Sequence, residues 1–281
     1  MKTILCALDF SAVSAVVLRY SHALARKHSA RLLLVHIVDA LPIVAPAITS
    51  EYEQAVGAAR KRLEDMTHNL SAAGAEIVVE VGDSALELIE LAASLKADLV
   101  VLGTHGRSGL DKLLMGSTAE EVLSAADCPV ITIGPEVTLP QEPSIRRVLL
   151  PLDFSPQSLA AIDLAVAVAQ QWDAQLFLLH VLERTSETDE PAAKERLRSA
   201  LPVSVAVRPD LRIASGEPAA GILGVARELS ANLIVLGLRH SLDLSRVGTH
   251  LARTVAQKVL REAPCPVLTV IARQSASETQ R

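Results

Sequence analysis

The chain has few aromatic residues: only six of its 281 are Phe, Trp or Tyr. Stacking of bases on aromatic rings is therefore not expected as a main binding device, and Val, Leu, Ile and Ala have to fill the interior. Cysteine is also scarce. Cys6, Cys128 and Cys265 are odd in number and scattered, which suits small buried hydrophobes in a reducing compartment and not a disulfide or metal framework. Positive charge is not in excess: the net charge is −5 and the sequence pI about 5.9, so a nucleic-acid or anionic-membrane surface has no electrostatic basis. The short basic run Arg60, Lys61, Arg62 is followed at once by Glu64 and Asp65 and reads as a solvated helix face. No apolar run reaches about 18 residues, and Asp9 interrupts the stretch after Lys2 before it attains the length of a signal-peptide core. The expectation is a soluble cytoplasmic protein.

Several catalytic signatures are missing too. There is no G-x-G-x-x-G after the first strand, no Gly-Lys pair of a Walker A loop, no G-x-S-x-G elbow and no H-E-x-x-H. Dehydrogenase, P-loop ATPase, serine hydrolase and zincin chemistries fall with them. Gly82-Asp83-Ser84 resembles the start of a hydrolase motif, but its counterpart Gly216-Glu217-Pro218 lacks the serine, so a turn capping a helix is expected. His36 and His180 recur at strand ends without a second ligand at metal-binding spacing and are expected to be packed.

What the chain does have is a repeat. ILCALDFS returns as VLLPLDFS, LLLVHIVD as LFLLHVLE, ADLVVLG as ANLIVLG, and CPVITI as CPVLTV. Two tandem domains of one fold follow, 1–139 and 140–281, joined through the proline-rich, polar segment Gly134 to Ser144. In the first copy the strands are expected at Thr3 to Leu8, Leu32 to Val38, Glu76 to Val81, Leu99 to Leu102 and Pro129 to Ile133. Their near-continuous apolar character suits a parallel sheet buried on both faces. Helical spacing of apolar residues follows Ser11, Ser84 and Ser117, each read as an N-cap. The alternation predicts an α/β open sheet. The second copy keeps this order, with a shortened second helix between His180 and Gly216.

Ligands of an open parallel sheet collect at the carboxyl edge of its strands. Asp9, Ile37 and Gly103 map to that edge, and Gly103, Gly106, Gly116 and Ser117 make a G-x-x-G-x9-G-S pattern between a strand and a helix. Glycines let the backbone approach a ligand, and the helix start offers N–H groups to an anion, so a phosphate chain is the natural occupant. Ser117 and Glu120 also form a capping box, by which the same helix start is satisfied without a ligand. His105 and Arg107 lie inside the loop, within reach of phosphate oxygens, Arg107 with a charge that does not depend on pH. Residues 39–50 either cover that edge or simply connect to the next helix.

With this glycine pattern and its DFS and CPV segments, the chain resembles tandem members of the universal stress protein family over almost its whole length. The resemblance implies two Rossmann-like domains, each with a five-stranded parallel sheet in the order 3-2-1-4-5. It also implies ATP, with Mg²⁺ beside the triphosphate, across the edge of strands one and four. Ala7, Asp9 and Ile37 would lie at the adenosine end, with Ala7 standing where a proline is frequent. Gly106, Gly116, Ser117 and Thr118 would hold phosphates. The second copy keeps Pro151, Asp153 and Val181 but has Arg253 and Thr254 at the Gly-Ser positions, so one competent site per chain is expected. The function implied is that of an ATP-binding regulator acting through its shape or an unknown protein partner, with homodimer formation also implied. Slow hydrolysis or phosphotransfer using Asp9, and a nucleotide-independent scaffold, stay open as alternatives.

Overall fold

The computed structural model describes residues 1–39, 48–69, 74–104, 115–138, 140, 142–183, 189–202, 207–239 and 250–272. The chain divides into two compact units, Met1–Pro143 and Ser144–Arg281. The first runs β1 (Thr3–Ala7), α1 (Ser14–His28), β2 (Arg31–Asp39), α2 (Ile48–Asn69), β3 (Glu76–Gly82), α3 (Ser84–Ser94), β4 (Leu99–Gly103), α4 (Ser117–Ala125) and β5 (Val130–Ile133). The second runs β6 (Arg147–Pro151), α5 (Pro156–Ala160), α6 (Ile162–Trp172), β7 (Gln175–Leu182), α7 (Asp189–Ser199), β8 (Asp210–Ser215), α8 (Pro218–Glu228), β9 (Leu233–Arg239), α9 (His250–Glu262) and β10 (Val267–Ala272). Each unit is a parallel α/β sheet, ordered β3-β2-β1-β4-β5 in the first and β8-β7-β6-β9-β10 in the second. Both orders are 3-2-1-4-5 in the numbering of a single unit. The middle strand of each sheet is buried on both faces, and Ile4, Leu5, Leu149 and Leu150 are fully enclosed. Burial of each such side chain contributes about 1.5–3 kcal/mol.

The repeat extends to the backbone. Among the described residues, the non-glycine positions with left-handed φ pair across the copies: Phe10 with Phe154, Ser29 with Asp173, Lys96 with Ser230. The last two pairs end helices. The alanine after each turn residue donates back five positions, as Ala30 does to Ala25 and Ala174 to Ala169, closing the orphaned carbonyls of the last turn. α7 has 11 residues against 22 in α2, in line with the shortened second helix read from the sequence.

The expected caps need correction. α3 is capped by Asp83, whose Oδ1 accepts from the N–H groups of Ala85 and Leu86, and not by Ser84. Ser84 instead donates its hydroxyl to Asp39 Oδ1 at 2.9 Å. α1 follows a turn in which Ser14 N–H donates to the Ser11 carbonyl, so Val13, not Ser11, precedes the helix. In the second unit the equivalent Ser155 does cap, because Pro156 starts α5 directly after it.

A polar clasp fixes the start of each central strand. Lys2 and Thr3 donate their N–H groups to Asp98 Oδ2 at 2.6 and 2.9 Å, and Arg146 and Arg147 donate theirs to Asn232 Oδ1 at 3.0 Å each. These backbone bonds from Lys2 and Thr3 hold the Asp98 carboxyl below its usual range. A folded-state value below the unfolded one, about 3.9, means that the stabilisation is present above that pH and is lost as the pH falls through the folded value. Asp98→Asn, which copies the second unit, is expected to keep the clasp and weaken the acid dependence of unfolding; an unchanged acid limb in urea titrations would contradict this. Two glycines give opposite outcomes. A Cβ on Gly237 would lie 1.8 Å from the Gln157 carbonyl oxygen, whereas one on Gly224, inside α8, meets nothing within 4 Å. Gly237→Ala is therefore expected to destabilise by about 2–3 kcal/mol, and Gly224→Ala to stabilise by about 0.5–1 kcal/mol, both read from denaturant midpoints.

Candidate functional site

β1 pairs on one side with β2 and on the other with β4, in parallel. The chain leaves β1 through α1 to one side and returns to the other through α3, so the sheet reverses its winding between β1 and β4. That reversal is where an open α/β sheet leaves a crevice at its carboxyl edge. Ala7 lies level with Val35, and Cys6 with Val101, which sets Leu8 level with Gly103. Asp9 follows immediately, and Ile37 lies buried in β2 beside Glu80 of β3. Ala7, Asp9 and Gly103 thus share one edge, with Ile37 on the neighbouring strand.

The glycine pattern closes on itself at its base. Thr104 is fully buried and its N–H donates to the Ile133 carbonyl; its own carbonyl accepts from Gly116 N–H at 2.8 Å. The start of α4 is thereby tied to the end of β4. Gly116 is extended, with φ −64° and ψ 142°, and is itself the N-cap, with no side-chain cap bond. The expected capping box is not formed, because Ser117 is already the first helical residue and lies exposed, with Thr118 partly so. α3, α5 and α8 all have side-chain caps, from Asp83, Ser155 and Glu217. Gly106, Arg107 and His105 lie outside the described residues, as do residues 40–47 of the connector.

Asp9 is shaped by its own turn. Its Oδ1 accepts from Ser11 N–H at 2.9 Å and from Ser14 Oγ at 2.8 Å, while Oδ2 makes no bond among the described residues. The turn depends on Phe10, whose φ of 62° is a left-handed conformation that costs a bulky residue about 1–3 kcal/mol. Its ring contacts two side chains. His36 lies 4.3 Å away centroid to centroid, with Nδ1 2.6 Å from the Leu8 carbonyl oxygen, and the Arg62 guanidinium sits 4.3 Å from the ring centroid. His36 is thus a packed histidine, 5% exposed, as expected from its isolation in sequence.

The second unit repeats this constellation. Phe154 has φ 62°, His180 Nδ1 lies 2.7 Å from the Leu152 carbonyl oxygen, and Arg196 sits 4.0 Å over the Phe154 ring. Burial opposes ionisation of Asp153, but hydrogen bonds from the Ser155 and Ser158 side chains and from backbone N–H groups outweigh it and hold the carboxyl low. The last helix differs. α9 spans His250–Glu262, so Arg253 and Thr254 lie within the helix and not before it. Sequence reasoning missed the ring stack, although a signal was present: Arg62-Leu63 and Arg196-Leu197 repeat on α2 and α7, each with a fully buried leucine.

Other candidates drop away. All three cysteines are free thiols; burial pushes Cys6 and Cys265 up to about 12 and Cys128 to about 11, which leaves them unreactive. No group of three metal-ligating side chains occurs among the described residues, and no described helix is long and apolar enough to cross a membrane.

The profile of the universal stress protein family matches residues 1–134 and again residues 144–270. A universal stress protein of Mycolicibacterium smegmatis is 27% identical over 293 aligned positions, covering 95% of this chain and 96% of the relative. Universal stress protein A homolog 1 of Coxiella burnetii is 35% identical over 138 positions, 47% of this chain and 95% of the relative. Among solved structures, a universal stress protein of Archaeoglobus fulgidus shares the fold, with a TM-score of 0.72 at 24% identity over 98% of this chain and 97% of that one. With both halves matched and the tandem fold in place, the chain belongs to the universal stress protein family.

Proposed function

We propose that the first unit binds an adenine nucleotide, ATP, at the edge between β1 and β4, and that the chain is a regulator whose nucleotide state sets its conformation or its partners. One observation carries the reading: α4 starts directly after Gly116, an N-cap with no side chain, which the Gly116–Thr104 bond ties to the end of β4. The free N–H groups of a helix start and its dipole favour an anion, and the extended Gly116 lets one approach. Gly103, Gly106, Arg107, Gly116, Ser117 and Thr118 would hold the phosphates; Ala7, Asp9 and Ile37 would face the adenosine, Asp9 through its Oδ2. Mg²⁺ would be bound mainly through phosphate oxygens.

A catalytic role for Asp9 is less well supported, because its Oδ1 is engaged by Ser11 and Ser14 as a structural acceptor. The second unit is proposed to support the first, its helix start being displaced from the equivalent position. Pairing of two copies of the chain, a protein partner and a cytoplasmic location belong to the same proposal.

Gly116→Asp separates folding from binding. Asp is a good N-cap at the extended dihedrals of this position, so the ligand-free protein should be as stable or gain a few tenths of a kcal/mol. Its carboxylate would occupy the N–H groups and repel phosphate. ATP at about 100 times its Kd should stabilise the parent chain by about 2.7 kcal/mol. In thermal unfolding with ATP and Mg²⁺, the parent Tm is expected to rise and that of Gly116→Asp to stay put. An equal rise in both would overturn the assignment of α4, and no rise in the parent would overturn nucleotide binding itself.

A further inference from the structure

We infer that Arg62 is a positioning residue for the nucleotide, acting through the Phe10 ring on the carboxylate of Asp9; the inference rests on the nucleotide-binding reading above. Arg62 is on α2, remote in sequence from the strand edge, and is itself exposed. Its guanidinium lies 4.3 Å from the centroid of Phe10, and its Nη2 points to the Phe10 carbonyl oxygen at 3.4 Å. That oxygen belongs to the peptide between Phe10 and Ser11, whose N–H donates to Asp9 Oδ1. One guanidinium thus touches both the ring and the peptide that hold Asp9 in place.

Left-handed φ is disfavoured for Phe, so the turn persists only while its surroundings favour it. His36 supports the ring from within the sheet, anchored on Leu8. Arg62 supports it from the helix layer. Without Arg62 the ring and peptide gain freedom, Ser11 N–H no longer holds Oδ1 in a fixed direction, and Oδ2 is less well aimed at a ligand. The chain would still fold, because Leu63 next to Arg62 anchors α2 in the core.

The second unit provides the control. Arg196 makes the same contact over Phe154, at 4.0 Å, in a unit whose α9 does not begin at the equivalent of Gly116. Any purely structural value of the stack should be shared by both copies. Only the first should affect nucleotide binding.

The test is calorimetric titration of ATP with Mg²⁺ into the full chain and into Arg62→Ala, Arg62→Lys and Arg196→Ala, with Tm measured without nucleotide for each. Arg62→Ala is expected to weaken ATP binding about two- to fivefold, the range of an exposed cation–π contact. Arg62→Lys, which keeps a cation over the ring, should fall between it and the parent. Arg196→Ala should leave the affinity unchanged while lowering Tm about as much as Arg62→Ala. Arg62→Ala binding as tightly as the parent, or Arg196→Ala weakening binding equally, would overturn the inference and leave nucleotide binding intact. Absence of binding by the parent chain would overturn both.

Discussion

A backbone bond from the Gly116 N–H to the Thr104 carbonyl at 2.8 Å fixes the start of α4 against the end of β4, and the proposed nucleotide site depends on it. Thr104 is in turn fixed by Ile133 of β5, so the helix start is referenced to the sheet through two successive backbone bonds. No side chain caps the first turn of α4. Asp9, two residues past β1, lies at the same edge because the parallel register places the ends of β1 and β4 level. Asp9 and the start of α4 thus each follow one of the two strands that flank the reversal of the sheet.

The two units keep and lose different things. Both retain the left-handed Phe, the histidine anchored on the residue before the aspartate, the arginine over the ring, and the clasp that starts the central strand. These features hold the turn after the first strand and belong to the fold. The second unit lacks a helix that starts where α4 does.

Much of this was legible in the sequence because it is periodic or local. Apolar runs mark the inner strands, while β3 and β8 at the sheet edges hold no buried residue, and the repeated blocks mark the two units. The glycine spacing pointed to the β4–α4 segment, although Gly106 and Arg107 lie outside the described residues. The caps were less legible. Ser84 and Ser117 have the right chemistry to cap, but Asp83 is one residue closer to the end of β3, and the Gly116–Thr104 bond starts α4 one residue earlier than a Ser117 cap requires. The ring stack was hidden for a different reason. Arg62 is 52 residues from Phe10, and within its basic run it looks like any solvated charge until the fold brings α2 over the turn.

We propose one nucleotide site per chain, located in the first unit. The most direct test is to strip the purified chain of small molecules and titrate it with ATP and Mg²⁺ in a calorimeter that reports stoichiometry. Saturation at one ATP per chain is the predicted result. Two sites per chain would mean that the displaced start of α9 is no barrier, and no binding would contradict the account outright.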